Sequence, residues 1–233
     1  MNFGPQIVRS GLVLYLDAAN RKSYRGTGTV WNDLSGNNNT GTLTNFGAQT
    51  FFSNTNGGNI ILDGSNDFIS TGFTVANLAA SSNFTWFMWC YLIATSAATQ
   101  ALVYLGNYNN YVPNYEWWGS SRNGTTLSVG NYASSTEYSI STTIPGAGWY
   151  QVCQLRSGST HYLYLNGVSK NSGTFVTPNI NSSATLRFGS SGNGATNLDN
   201  FNGNIASFQL YNRALSDSEV LQNYNATKTR FGL

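Results

Sequence analysis

Along most of the chain, apolar and polar positions alternate in short runs. Breaks rich in Gly, Asn, Ser and Asp separate them, the pattern of brief strands joined by turns. The clearest case spans Trp149 to Val168. Trp149–Arg156 is aromatic and β-branched, Ser157-Gly158-Ser159 interrupts it, and His161–Leu165 resumes it. Asn166-Gly167 then supplies two residues that tolerate the positive φ of a type I′ turn. The spacing predicts a hairpin and a third strand starting near Val168.

Further strands are predicted at Leu12–Leu16, Thr40–Leu43, Thr50–Phe52 and Asn59–Asp63, with a resumption at Phe68-Ile69. More follow at Gln100–Gly106, Thr125–Val129, Glu137–Ser141 and Ala184–Phe188. Phe84–Leu92 is almost continuously apolar and aromatic. Such a strand is either buried on both faces or carries aromatics on its outer face. In Asn204–Tyr211, Ile205, Ser207 and Gln209 alternate with Ala206, Phe208 and Leu210, so one face is expected to pack inward. The period changes only at the C-terminus. Ser216 and Glu219 have the spacing of a capping box, in which each bonds the other's backbone. A short helix over 217–226 is expected, with Val220, Leu221 and Tyr224 on one face.

Composition limits what this β-rich chain can do. Of 233 residues, 40% are hydrophobic and 14% aromatic, enough to fill a core. Only 9% are charged, against about 25% in ordinary domains. Asn, Ser, Thr and Gly must therefore cover the surface. That suits lasting contact with neighbours or with neutral partners such as sugars. The net charge is +2 and the cations are scattered, so no phosphate-binding patch is expected and nucleic acid is not a partner. No segment has the length of a membrane span, and the first residues lack the layout of a signal peptide. Cys90 and Cys153 lie within apolar strand patterns and read as buried thiols. A single bridge between their strands is the alternative.

Seven segments, in order, resemble the laminin-G-like, concanavalin A-like family. They are LVLYLDAAN (12–20), WNDLSGNNNTGTL (31–43), LDGSNDFI (62–69), FTWFMW (84–89), GWYQV with YLYLNG (148–167), LRFGSSG (186–192) and the closing stretch 203–225. The resemblance implies an all-β, two-sheet antiparallel jelly-roll sandwich with one short C-terminal helix. It implies an arm at 1–11, one domain at 12–226 and a tail at 227–233. Many relatives carry an acid where this chain has Ala206. The segments at 11–26, 31–45 and 223–233 also resemble laminin-G-like domains of tailed-phage virion proteins. That implies a capsid-decoration or tail protein located on the virion, contacting other virion proteins and forming a homo-oligomer. A soluble carbohydrate-binding module or lectin is the alternative.

Candidate chemistry is sparse. Glycoside hydrolysis needs two carboxylates across the scissile bond. The acids here are Glu116, Glu137, Glu219, Asp17, Asp33, Asp63, Asp67, Asp199 and Asp217, and no two sit at alternate positions of a predicted strand. The expectation is a protein that is not an enzyme. His161 stands alone, without a nucleophilic Ser motif or clustered zinc ligands, and reads as structural. Tyr108, Tyr111, Tyr115, Trp117 and Trp118 lie in an Asn-rich stretch. Their rings could stack on sugar C–H faces while amides bond hydroxyls. The other reading of that stretch is core and subunit-contact aromatics. Calcium, which takes oxygen ligands, has candidates in Asp63, Asn66 and Asp67, and in Asp17 with Asn20. Asp33 reads as a turn carboxylate or as a further calcium ligand.

Overall fold

A computed structural model describes residues 5–47, 51–78, 83–93, 98–106, 116–178, 184–192 and 198–233. Among them, the strands in chain order begin with β1 (Leu12–Asp17), β2 (Val30–Trp31), β3 (Gly41–Thr44), β4 (Phe52–Ser53), β5 (Asn59–Asp63) and β6 (Phe68–Thr74). Next come β7 (Phe84–Leu92), β8 (Gln100–Gly106), β9 (Trp117–Asn123), β10 (Thr126–Ala133) and β11 (Thr136–Thr143). The last are β12 (Gly148–Ser157), β13 (Thr160–Leu165), β14 (Val168–Thr174), β15 (Thr185–Phe188) and β16 (Asn202–Tyr211). Helix α1 (Asp217–Thr227) and a 3-10 turn, Lys228–Phe231, close the chain. Of the expected strand at Thr50–Phe52, Thr50 falls outside the described residues and Phe52 opens β4.

Two antiparallel sheets form a sandwich. The first runs β14-β13-β12-β7-β16-β5-β4, with β1 on the far half of β16. The second runs β11-β10-β9-β8-β15-β6-β3-β2. The hairpin read from the sequence is β12–β13–β14. Asn166 (φ 53°) and Gly167 (φ 74°) occupy the left-handed region that their turn demands.

Strand β7 organises the first sheet, and both of its faces are buried. Phe84, Trp86, Met88, Cys90 and Leu92 point between the sheets. Phe87 and Trp89 point away, into two smaller clusters built with α1 and the 3-10 turn. Each of these large side chains contributes on the order of 2 kcal/mol by leaving water. Polar groups on the same strand find partners. Thr85 Oγ1 donates to the Arg213 carbonyl (2.9 Å) and accepts the Leu215 N–H (3.0 Å). Trp89 Nε1 donates to Thr227 Oγ1 (2.8 Å).

In β16 a bulge between Ile205 and Ser207 breaks the alternation expected from the sequence. Ile205 joins Phe208 and Leu210 in the core, and Ala206 turns outward against Trp89 and Phe231. An acid at position 206 would be buried among those rings.

The capping box is present. Ser216 Oγ accepts the Glu219 N–H, and Glu219 Oε2 accepts the Ser216 N–H (2.9 Å). The buried face of α1 differs from expectation. Val220 and Asn223 are buried and Leu221 is exposed. The docking surface decides this, because Asn223 Oδ1 accepts the Val8 N–H (2.8 Å) and Asn223 Nδ2 donates to the Tyr211 hydroxyl (3.0 Å). Tyr211 donates in turn to the Val8 carbonyl (2.9 Å), so residues before β1 are bound to the helix.

Cys90 faces the core and Cys153 faces the helix side of the same sheet, so no bridge joins them. Burial pushes the Cys90 thiol up to about 12 and Cys153 well above its ordinary value.

Candidate functional site

The outer face of the second sheet carries a groove of about 300 Å³ over β8 and β9. Tyr104 from β8 and Trp117 from β9 form its aromatic surface, with ring centroids 6.1 Å apart and planes at 32°. Backbone packing puts them there. Gly106 pairs with Trp117, and Gly119 pairs with Tyr104. A Cβ on Gly106 would overlap Trp117, and a Cβ on Gly119 would overlap the Val103 carbonyl. Glycine at both positions lets the strands approach and leaves the floor between the rings low.

Polar side chains rim this floor. Ser121 comes from β9, Glu137 from β11, and Ser191 and Asp199 from the segment after β15. Asp199 Oδ2 accepts the Ser191 hydroxyl (2.7 Å), and the Asp199 carbonyl accepts the Ala101 N–H (2.7 Å). The second bond fastens the segment to β8, and the first ties two parts of the segment together. Glu137 is exposed. The groove thus offers the half-buried Trp117 ring, with Tyr104 buried beneath it, together with hydroxyls and two carboxylate acceptors.

The aromatic stretch named in the sequence divides here. Trp117 faces the groove. Trp118 turns into the core and stacks on Phe84 (4.8 Å, 21°), presenting no ring to solvent. Tyr108, Tyr111 and Tyr115 lie outside the described residues. The sequence points to Asp199 only as a stand-in for the acid absent at Ala206, and it does not single out Tyr104 or Ser191 as ligand groups. Their meeting depends on the crossing of the segment after β15, which no local spacing signals.

The cation candidates form a turn. Asp63 is exposed and its Oδ1 accepts the Ser65 N–H (2.8 Å). Asp67 is buried and its Oδ2 accepts the Asp63 N–H (3.0 Å). Asn66 is exposed, with its carbonyl held by Asn45 Nδ2 (3.1 Å). Asp67 Oδ1 is buried without a hydrogen-bond partner. Burial raises the Asp67 pKa; the Asp63 N–H opposes this and the Asp63 carboxylate adds to it. A proton meets that need with less reorganisation than calcium, which takes six to eight oxygens. Among the described residues, no three His, Cys, Asp or Glu side chains cluster as a metal site.

The other acids are committed to structure. Asp33 accepts the N–H groups of Tyr15 (2.9 Å), Ser35 (2.8 Å) and Asn39 (2.9 Å), the work of a turn carboxylate. Asp17 Oδ1 accepts from Arg230 Nη1 (2.7 Å) and from the Ala19 N–H (3.0 Å).

His161 lies between the sheets, stacked on Phe175 (4.3 Å). Trp86 Nε1 donates to Gln154 Oε1 (3.0 Å), which leaves the Gln154 amide to donate to His161 Nδ1 (2.9 Å). That chain of bonds assigns the neutral imidazole with its proton on Nε2. Burial, then the Arg156 charge, pulls its pKa down to about 3.

A family model described as the concanavalin A-like lectin/glucanases superfamily, Laminin_G_3, matches residues 63–221. The chain belongs to this superfamily. Its first four strands precede the match, so the structure alone places them in the sandwich. No curated protein matches the sequence. Among solved structures, Trypanosoma rangeli sialidase in complex with the inhibitor DANA superposes with a TM-score of 0.68 at 15% identity, over 98% of this chain and 36% of that one. The botulinum neurotoxin serotype D binding domain gives 0.66 at 16% identity, over 93% and 52%. The binding domain of Paraclostridial Mosquitocidal Protein 1 gives 0.66 at 19% identity, over 94% and 52%. At such identities the likeness is one of fold. The chain spans only about a third to a half of these proteins' lengths. This concanavalin A-like domain has, among its described residues, no helix long and apolar enough to cross a membrane.

Proposed function

We propose that the chain is a non-catalytic attachment domain of a bacteriophage virion, in the capsid decoration or the tail, that holds glycans in the Tyr104–Trp117 groove. The groove carries this reading: the half-buried Trp117 ring, backed by Tyr104, beside hydroxyl and carboxylate acceptors matches the alternating C–H and O–H surface of a sugar. The virion setting is supported by the phage-like segments at 11–26, 31–45 and 223–233, and by the weakly charged surface. Both acids suit binding better than hydrolysis. A glycosidase keeps one carboxylic acid protonated, commonly in apolar surroundings. Glu137 is exposed instead, and Asp199 is exposed with its Oδ2 held by the Ser191 hydroxyl.

A glycan array followed by calorimetry tests the groove. Trp117→Ala should weaken binding tenfold or more while the far-ultraviolet spectrum is unchanged. Equal binding by the variant would remove the groove from the account, and turnover of aryl glycosides abolished by Glu137→Gln would overturn the non-catalytic reading. A free-standing lectin would use the same groove. Labelled antibody on purified phage particles, with the solution mass of the isolated chain, separates the two: particle labelling and a stable homo-oligomer support the virion role, and an unlabelled particle with a monomeric chain supports the lectin.

A further inference from the structure

A second groove, of about 260 Å³, opens on the outer face of the first sheet, opposite the one just described. Its aromatic wall is Trp149 and Tyr91, neighbours on β12 and β7, with ring centroids 5.7 Å apart at 68°. Both rings are half-buried. Trp149 is not free to swing, because Phe231 packs against it (4.8 Å) and is itself stacked on Trp89 (4.1 Å). The C-terminal turn therefore braces the back of the ring. Ser53, Thr55 and Asn56 form the facing wall, and Ile61 and Asn204 lie at the base.

Asn59, fully buried, sets the polarity of that base. Its Nδ2 donates to the Thr55 carbonyl (2.9 Å), so its Oδ1 must accept, and it accepts from Asn204 Nδ2 (2.8 Å). Asn204 has thus spent a donor and keeps its Oδ1 as an acceptor beside the two rings. Among the described residues, no charged residue lines the groove. A charged ligand would lose hydration without gaining a counter-charge, whereas a neutral polyhydroxy ring loses little.

We infer that the Trp149–Tyr91 groove is a second saccharide subsite, selective for a neutral pyranose, on the sheet opposite the first. The ring's C–H face lies on the aromatic wall. Asn204 Oδ1 accepts one hydroxyl, and Ser53 and Thr55 serve others. With both grooves occupied, one domain engages two glycan strands from opposite sides. This second subsite does not depend on the Tyr104–Trp117 groove, since no residue is shared.

The test uses the full chain labelled with 5-fluorotryptophan. Its six tryptophans give separate fluorine resonances, assigned through Trp149→Phe and Trp117→Phe. The probes are methyl glycosides of glucose, galactose and mannose, and neutral disaccharides. At least one should shift the Trp149 resonance saturably, with a dissociation constant on the order of millimolar. Thr55→Phe fills the groove from an exposed rim position and should weaken that response at least tenfold, while Trp117→Ala should leave it intact. A Trp149 resonance unmoved by every probe, or a shift that survives Thr55→Phe, overturns the inference. A Trp117 resonance that stays still while Trp149 moves counts against the first groove alone and leaves this one standing.

Discussion

Lowering the pH should destabilise this fold through its only histidine. His161 sits between the sheets, 2% exposed, and its Nδ1 is occupied as an acceptor by Gln154. The folded chain binds a proton there only near pH 3, whereas the unfolded chain binds one near the ordinary imidazole value of 6.5. Below that value the unfolded state takes up a proton that the native state refuses, so stability falls as pH falls. The contribution is fully present above pH 6.5 and declines until about pH 3. Between about pH 7 and pH 5 the loss works out at about 2 kcal/mol, approaching 1.4 kcal/mol per pH unit at the lower end. Ordinary carboxylates barely titrate in that interval, so the effect is separable. Urea unfolding across the interval, followed by tryptophan fluorescence, measures it. His161→Gln keeps an acceptor for Gln154 but cannot titrate, and its pH slope should lack the histidine contribution. The imidazole proton resonances should also fail to titrate down to about pH 4. A wild-type stability that is level from about pH 7 to pH 5, or an equal slope in His161→Gln, would refute this reasoning.

The helix start gives an acid dependence of a different origin. Arg213 bonds Glu219 through Nη1 (2.9 Å) and Nη2 (2.5 Å), and this, more than the Ser216 N–H, lowers the Glu219 pKa to about 2. Its contribution is present above about pH 4.5 and lost as pH falls through about 2, and Glu219→Gln should cost about 1 kcal/mol in denaturant titration near neutral pH, because the pair is partly screened by water. For the Asp63–Asp67 turn, the saturated backbone bonds predict that millimolar calcium or a chelator leaves the melting temperature unchanged; a calcium-induced rise of about 4 °C or more would show a site there.

What the sequence disclosed was local. The β12–β13–β14 hairpins were legible because Asn166-Gly167 admits few alternatives, and the capping box because its spacing is itself the geometry. The choice of face was harder to read. Trp117 and Trp118 are chemically alike, and only pairing with β8 sends one outward and the other onto Phe84. The bulge in β16 exchanged Ile205 and Ala206 through a backbone irregularity that side-chain pattern does not encode. Leu221 was expected to be buried because it is apolar, but the docked face belongs to Asn223, which repays its burial with three bonds. The first groove needed Asp199 laid against Ala101, and the second needed Phe231 folded back on Trp149. Both are long-range events.

Because β7 is apolar toward both the sandwich and the helix, sliding it by one residue would still bury greasy side chains everywhere. Hydrophobicity therefore gives this strand almost no protection against mispairing. The guard must be polar: Thr85 with Arg213 and Leu215, Trp86 with Gln154, and Trp89 with Thr227 can all be satisfied in only one alignment. Removing those few atoms would threaten the uniqueness of the native state before its compactness, leaving a population of collapsed, misaligned sandwiches.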